Sequence, residues 1–345
     1  MFENAIEKIN SCAEQLRQLF SESDNIVILS HINPDGDSIG SSLALLSYLT
    51  TLGKNVNAIV PNEIPAYLKS VAGVEAIHEY NKESVEMNKV IEEASLFVCL
   101  DFNEIDTRIG YVAERVRLNE TAKKVLVDHH ILDDSSEFEV VISDVNSCAT
   151  SYLMTNILVT LGGEEAISEL AAEALYLGIM TDTGKFSYGN LSGDLFRAVA
   201  LLVDRGAKPV DINNNILNVQ TLTRTRLVGY SLYKKMQIVK HHRMAYITLS
   251  ENELMNFNYR PGDIEGIVNM PLAIKGIELS AIFIENKECI KISLRSQGAV
   301  AVDVNKLARE HFSGGGHKMA AGAKSFTTMK EAVDIFLKAV TKIYQ

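Results

Sequence analysis

One segment constrains the fold more than any other. It is a short apolar run followed directly by a loop of charged and turn-forming residues. Asn25–Leu29 (N-I-V-I-L) is rich in β-branched residues and predicts a buried strand. The following stretch, Ser30–Gly40, reads S-H-I-N-P-D-G-D-S-I-G, and Ser38 can cap a helix that extends to Leu52. Strand–loop–helix segments of this kind build open α/β sheets, which bind ligands at the carboxyl ends of their strands.

Two further apolar runs end in acidic or histidine residues. Leu96–Leu100 is followed by Asp101, and Lys124–Val127 is followed by Asp128–His130. Helical patterns lie between these runs, and alternating strands and helices predict a mainly parallel sheet with helices on both faces. The acidic and histidine side chains should therefore collect at one edge of the sheet.

The pattern of elements changes along the chain and predicts three segments. Residues 1–190 alternate between strands and helices and should form an α/β domain, in which we also expect a helix at Pro65–Val71. Residues 191–235 read as successive helices, a helical connector. Strands dominate again in residues 236–345, which predicts a smaller α+β domain.

The charge balance limits the kind of substrate. The formal net charge is −11, and the sequence has no long cluster of lysine or arginine. Proteins that bind long nucleic acids need a basic surface, because neutralisation of phosphates dominates their affinity. A phosphate-bearing substrate should therefore be small and held by a few local cations.

Composition also predicts a cytoplasmic protein without a membrane partner. No run approaches the roughly 18 apolar residues that span a bilayer, and the first residues do not resemble a signal sequence. The four cysteines are scattered without a C-x-x-C pair, which predicts reduced thiols rather than a zinc site or disulfides.

Six side chains at these strand and helix ends are candidate metal ligands. They combine carboxylates and imidazoles, which suits Mn²⁺ and, less selectively, Mg²⁺, Co²⁺ or Zn²⁺. Four aspartates packed together would repel one another, whereas two divalent cations supply matching positive charge. Two-metal sites activate a water and hold a phosphoryl group, so the charge count favours a binuclear hydrolase. The candidates are His31, Asp35, Asp37, Asp101, His129 and Asp182.

These motifs resemble those of the DHH phosphoesterase superfamily, which takes its name from the triplet found here at Asp128–His130. The resemblance covers nearly the whole chain, and its last part is similar to the DHHA1 domain of that superfamily. The other matching stretches are His31–Gly40, Asp101–Gly110, Gly178–Phe186, Arg295–Ser296 and Gly314–Gly322.

The resemblance implies that two cations, expected to be Mn²⁺, share the six candidate ligands. Asp101 would bridge both cations. The first cation would also bind His31 and Asp35, and the second would also bind Asp37, His129 and Asp182.

The resemblance also implies residues that act on the substrate. Asp128 would orient a ligand imidazole, and His130 would face the substrate phosphate or the leaving group. The expected glycine loop begins with Gly314, Gly315 and Gly316, whose backbone N–H groups can approach a phosphate closely. Arg295 could hold a phosphate with two hydrogen bonds, and His317 adds a further donor.

Within the superfamily, the chain resembles the group of oligoribonucleases that also act as phosphatases of 3′-phosphoadenosine 5′-phosphate (pAp). We therefore expect Mn²⁺-dependent hydrolysis of pAp and of RNA of about 2–5 nucleotides, with long nucleic acid excluded. The alternative is a stand-alone phosphodiesterase for cyclic di-AMP or linear pApA, and the sequence does not separate the two. A homodimer is left open.

Two other functions of the protein are weaker interpretations, and the role of one residue is undecided. A family II inorganic pyrophosphatase would carry a Lys/Arg motif where this chain has its glycines. A nucleotide-binding regulator with an inactive metal site is disfavoured by the complete ligand set. The role of Arg108 is open between a substrate contact and an ion pair.

Overall fold

The chain divides into two units, Met1–Val219 and Gln220–Gln345. The computed structural model describes residues 5–132, 134–218, 221–260, 262–298 and 302–343, a set that includes every candidate site residue named above. The three-segment division with boundaries at 190 and 235 stays a prediction.

The first unit consists of strands that alternate with helices. Its strands are β1 (Asn25–Leu29), β2 (Asn55–Val60), β3 (Ile77–Glu79), β4 (Leu96–Leu100), β5 (Lys123–Asp128) and β6 (Val140–Ser143). Its α-helices are α1 (Ala5–Glu22), α2 (Gly36–Thr51), α3 (Val85–Glu92), α4 (Ile105–Arg108), α5 (Val112–Leu118), α6 (Thr150–Gly162), α7 (Glu169–Asp182), α8 (Gly193–Asp204) and α9 (Pro209–Ile212). Further helical turns are the 3₁₀ segments Val74–Ala76 and Glu164–Ala166 and the π-helical segment Asn213–Leu217.

Among the described residues, the strands of this unit form one six-stranded sheet in the order β3-β2-β1-β4-β5-β6, and every neighbouring pair is parallel. Along β1, Ile26 and Ile28 enter one hydrophobic core while Val27 and Leu29 enter another. Successive side chains of a strand point to opposite faces, so both faces of the sheet are covered. The predicted parallel α/β fold is therefore confirmed.

Helices α2 and α7 approach each other at backbone distance because glycines lie in their interface. A Cβ on Gly36 would lie 2.5 Å from Thr181 Oγ1, and one on Gly40 would lie 2.3 Å from the carbonyl oxygen of Ala174. As α2 runs forward from Gly36 to Gly40, its contacts run backward along α7, so the helices are antiparallel. The first turn of α2 consequently lies beside the last turn of α7.

The second unit contains a mixed sheet, as expected for an α+β domain. Its strands are β7 (Gln237–Val239), β8 (Met244–Leu249), β9 (Leu279–Glu285), β10 (Ile290–Ser296), β11 (Ser313–His317) and β12 (Ala320–Ser325). Its α-helices are α10 (Leu222–Tyr230), α11 (Glu251–Asn256), α12 (Val304–His311) and α13 (Met329–Ile343). Further helical turns are the π-helical segment Ser231–Lys235 and the 3₁₀ segments Lys240–His242 and Ile267–Ala273. The strand order is β11-β12-β10-β9-β8-β7, in which β8 and β9 are parallel and the other neighbours are antiparallel.

The helix predicted at Pro65–Val71 is wrong, because this segment consists of successive turns. The Leu68 N–H donates to the carbonyl of Pro65 at 2.9 Å, and the Val71 N–H donates to that of Leu68 at 3.0 Å. These are three-residue steps rather than the four-residue steps of an α-helix. Leu68, one of the apolar residues that suggested a helix, lies buried in the core instead.

The glycine loop predicted at Gly314–Gly322 is also wrong, because β11 and β12 form a hairpin there. Glycines carry no side chains whose alternation could reveal a strand. They are needed because the strands approach closely: a Cβ on Gly314 would lie 2.2 Å from the carbonyl oxygen of Gly322.

Two predictions from composition can be compared with the structure. The free cysteines are Cys12, Cys99, Cys148 and Cys289, and the last three are buried. This agrees with the prediction of reduced thiols. In the described ranges, no helix combines the length and the apolar character that crossing a membrane requires.

Gly40→Ala is expected to destabilise the first unit. Alanine normally favours a helix interior over glycine by about 1 kcal/mol, but its methyl group would overlap the Ala174 carbonyl, and overpacking costs about 1–3 kcal/mol. Urea unfolding should show a lower midpoint with an unchanged slope. Gly193→Ala is the control, because a Cβ there would meet only the Arg197 guanidinium, at 3.5 Å. Equal midpoints for the two variants would contradict this account of helix packing.

Candidate metal centre

One group of ligand atoms forms where the carboxyl ends of β1 and β4 lie side by side. His31 follows β1 and Asp101 follows β4. His31 Nε2 lies 3.4 Å from Asp101 Oδ2 and 3.9 Å from Asp35 Oδ1. Ligand atoms of all three residues lie within 4.8 Å of one another. Strand order reverses between β1 and β4, and open α/β sheets bind ligands at such a point.

A second group combines the first turn of α2, the end of β5 and the last turn of α7. His129 Nε2 lies 3.3 Å from Asp182 Oδ2 and 4.0 Å from Asp37 Oδ2. These three residues also offer ligand atoms within 4.8 Å of one another. The antiparallel packing of α2 and α7 is what brings Asp37 and Asp182 together.

Asp101 lies between the two groups. Its Oδ2 faces His31, whereas its Oδ1 lies 3.5 Å from His129 Nε2. The φ of Asp101 is 65°, in the left-handed region that non-glycine residues rarely adopt. Its N–H donates to the Val127 carbonyl, and the Thr150 hydroxyl donates to Oδ1, both at 3.0 Å. Backbone strain of this kind persists only where surrounding contacts maintain it, and it is frequent at functional sites.

The carboxylate of Asp37 is held by the start of α6, a contact that the sequence analysis missed. The N–H of Thr150 donates to Oδ2 at 2.6 Å, and the N–H of Ser151 donates to Oδ1 at 2.7 Å. Ala149, the N-cap of α6, has no capping side chain, so Asp37 supplies the negative charge that a helix N-terminus favours. Gly178 makes room for this arrangement, because a Cβ there would lie 2.9 Å from Asp37 Oδ1.

The N-cap of α2 is Asp35 rather than Ser38, which corrects the prediction. Asp35 has extended backbone geometry, and its Oδ1 accepts hydrogen bonds from the N–H groups of Asp37 (3.0 Å) and Ser38 (3.1 Å). The Ser38 hydroxyl accepts one from the Asp35 N–H at 3.1 Å, which completes a capping box. The helix starts at Gly36, so the serine lies two residues inside it.

Burial and mutual repulsion disfavour the charged forms of the aspartates. Burial, reinforced by Asp37, raises the pKa of Asp101 to about 7. The same two causes raise the pKa of Asp182 well above its usual value. Burial lowers the pKa of His31. Its hydrogen bond to Asp101 and the charge of Asp35 outweigh this effect and raise the pKa to about 9. Without added cations, the cluster therefore favours states in which some carboxylates are neutral and His31 is protonated.

The remaining member of the triplet forms a pair with its neighbour. His130 Nδ1 lies 2.7 Å from Asp128 Oδ1. Burial opposes ionisation of Asp128, but the contact with His130 outweighs it and lowers the pKa of Asp128. We expected Asp128 to orient a ligand imidazole; it contacts His130 instead, whereas His129 Nδ1 lies 3.3 Å from the carbonyl of Ser147.

The predicted substrate contacts lie in the second unit. Arg295 pairs with Ala320, which in turn pairs with His317, so these residues form one row across β10, β12 and β11. Gly316 has a φ of 150°, and its N–H donates to Asn305 Oδ1 at 3.0 Å. The glycines thus lie in the strand that ends at His317.

Arg108 remains a candidate substrate contact. Its carbonyl accepts a hydrogen bond from the Ile32 N–H at 2.8 Å, which ties α4 to the loop that carries His31. Its Nε is buried, with no hydrogen-bond partner in the part of the chain that the structure describes. The absence of a partner for this atom among the described residues does not favour the other role considered for Arg108, that of a partner in an ion pair.

The donor set fits divalent cations. Buried carboxylates need compensating charge, yet none of the described lysine or arginine side chains forms an ion pair with Asp37, Asp101 or Asp182. Carboxylate oxygens and imidazole nitrogens converge instead, which is the ligand chemistry of divalent transition metals. The cluster could therefore hold metal.

Comparison with known proteins shows the family of the chain. Residues 25–179 match the model of the DHH family, N-terminal domain, and residues 242–345 match that of the DHHA1 domain. A crystal structure of an exopolyphosphatase-related protein from Bacteroides fragilis is similar over 97% of this chain and 96% of that chain, with 37% sequence identity and a TM-score of 0.91.

Two characterised bacterial proteins are similar at lower identity. The bifunctional oligoribonuclease and PAP phosphatase NrnA of Thermus thermophilus is 29% identical over 317 residues, which are 92% of this chain and 88% of that protein. The cyclic-di-AMP phosphodiesterase GdpP of Bacillus subtilis is 24% identical over 96% of this chain, but this stretch is only 49% of GdpP.

Thr150→Val is expected to weaken Mn²⁺ binding. The substitution keeps the shape of the side chain but removes the hydroxyl that donates to Asp101 Oδ1, so the carboxylate loses a group that fixes its orientation. Loss of such outer contacts typically costs about 10- to 100-fold in metal affinity, which calorimetric titration of the metal-free protein would measure. Thr150→Ser keeps the hydroxyl and should bind nearly as wild type does. Equal Mn²⁺ affinities of the valine and serine variants would show that the Thr150 hydroxyl has no role in metal binding.

Proposed function

This chain belongs to the DHH family of phosphoesterases and carries a DHHA1 domain, and we propose that it hydrolyses short oligoribonucleotides to mononucleotides and pAp to AMP. The carboxylate–imidazole cluster around Asp101 carries the proposal. The similarity to the Thermus oligoribonuclease and PAP phosphatase extends over most of both chains, which favours the same substrate class. The net charge of −11 agrees with short substrates.

We propose that two divalent cations, with Mn²⁺ expected from the mixed donors, occupy the cluster with Asp101 shared between them. When bound, such cations act as Lewis acids and lower the pKa of bound water. One cation would take His31 and Asp35, and the other would take Asp37, His129 and Asp182.

The Asp128–His130 pair is proposed to handle the leaving group. Asp128 is buried and lies at hydrogen-bond distance from His130 Nδ1. It therefore orients the imidazole through Nδ1, and Nε2 is the ring nitrogen at which a proton would be exchanged with the substrate. A proton at this atom can pass to the ribose oxygen as its bond to phosphorus breaks. His130 would then act as the general acid.

The second unit is proposed to bind the nucleotide. The Arg295 guanidinium suits bidentate contact with a phosphate, and His317 lies in the same row of paired residues. Because β11 is the edge strand of the described sheet, part of its backbone has no strand to pair with. The backbone of Gly314, Gly315 and Gly316 is proposed to contact a phosphate from this edge, since glycine adds no side chain of its own there.

The alternative is a phosphodiesterase for cyclic di-AMP or pApA, which the similarity to GdpP over 96% of this chain favours. The same cluster would serve both reactions, so only substrate preference separates them. The cytoplasmic location and the homodimer stay predictions.

A comparison of kcat/KM with Mn²⁺ for pAp, pApA, tetranucleotide RNA and cyclic di-AMP tests the proposal. AMP from pAp and mononucleotides from RNA should form at least about tenfold more efficiently than any product from cyclic di-AMP, because only short linear substrates match the proposed function. Asp204→Asn, on the exposed end of α8, should behave as wild type, whereas Asp101→Asn should lose turnover. Preference for cyclic di-AMP would establish the alternative, and full activity of Asp101→Asn would overturn the assignment of the site.

A further inference from the structure

Two lysines of the second unit face each other across neighbouring strands. Lys291 on β10 pairs directly with Lys324 on β12. Both side chains are exposed, and neither forms an ion pair with any residue that the structure describes. Like charges in directly opposed positions destabilise a sheet. The pair is therefore a local concentration of positive charge in a chain whose formal net charge is −11.

Protection of a sheet edge does not explain these lysines. Charged residues often blunt the outer strands of a sheet, but β10 and β12 are interior strands. The adjoining residues of the same row are Ile284 on β9 and Ser313 on β11. The row thus contains no carboxylate that could neutralise the pair.

The lysine pair shares a face of the sheet with Arg295. Along β10, Lys291, Ser293 and Arg295 alternate with the buried residues Ile292 and Leu294, so the first three point away from the core that Ile292 and Leu294 enter. Arg295 lies four residue steps along the strand from Lys291, which is about 13 Å.

Little stands between the two cationic positions. The intervening row pairs Ser293 with Gly322, and a Cβ on Gly322 would meet no atom within 4 Å. A flexible anionic chain could therefore lie along the strands without meeting a large side chain.

We propose that Lys291 and Lys324 form a second phosphate subsite, which binds the backbone of an oligoribonucleotide beyond the phosphate held by Arg295. This inference rests on the proposed function and refines its substrate class. The two phosphates of pAp share one ribose and cannot span about 13 Å, whereas phosphates two nucleotides apart in an RNA strand can. The subsite would thus favour oligoribonucleotides over pAp.

The test compares two double variants that remove the same charge. The first is Lys291→Gln/Lys324→Gln. The control is Lys330→Gln/Lys338→Gln, which changes exposed residues of α13, a helix that packs through Phe336 against the opposite face of the sheet. The readouts are kcat and KM for pAp and for tetranucleotide RNA at several salt concentrations.

The first variant should raise KM for the tetranucleotide about tenfold with little change in kcat, because a contact made equally in ground and transition states is lost. Its KM for pAp should stay within about twofold of wild type. The salt dependence of RNA binding should fall by about one unit of slope per lysine. The control should match wild type throughout.

Equal losses on pAp and RNA, or equal losses in both double variants, would overturn the subsite. Failure of the proposed function would look different, because the wild type itself would then release no mononucleotide from either substrate. In that case, fluorescence anisotropy of a labelled tetranucleotide still decides: weaker binding by the first variant alone supports the subsite, and equal binding refutes it.

Discussion

The two oxygens of the Asp101 carboxylate face different sets of ligand atoms, and the arrangement of the site depends on this buried group. A carboxylate in such a position is unfavourable unless it is compensated. Its acidic neighbours increase the penalty, and together with burial they raise the pKa of Asp101 to about 7. Divalent cations would reverse this balance, since they neutralise several carboxylates at once. The site is therefore best understood as a set of ligands that becomes favourable when cations bind.

The backbone makes this arrangement possible. Close contact of α2 and α7 depends on Gly36 and Gly40, and room for the carboxylate of Asp37 depends on Gly178. The start of α6 then supplies two N–H groups to that carboxylate. The charge of Asp37 is consequently compensated in part by the fold itself, while the carboxylate of Asp101 is contacted by the Thr150 hydroxyl and by His31.

The convergence of the candidate ligands could be predicted because apolar runs that stop at acidic or histidine residues are visible in the sequence, and parallel strands bring such ends together. Other features could not be predicted. The hydrogen bond from Thr150 to Asp101 could not be predicted, because Thr150 lies at the start of a helix whose N-cap residue has no capping side chain to mark it. The strand β11 has no alternation of side chains, because its pairing depends on glycine backbone. The contact of Asp128 with His130 rather than His129 depends on side-chain conformation, which spacing does not reveal.

The most direct test of the account is anomalous diffraction at the manganese edge from crystals grown with Mn²⁺. We expect two anomalous peaks, one on each side of the Asp101 carboxylate, with His31 beside the first and His129 beside the second. A single peak in the cluster would contradict the shared role of Asp101. Peaks only outside the cluster would contradict the identification of the metal centre itself.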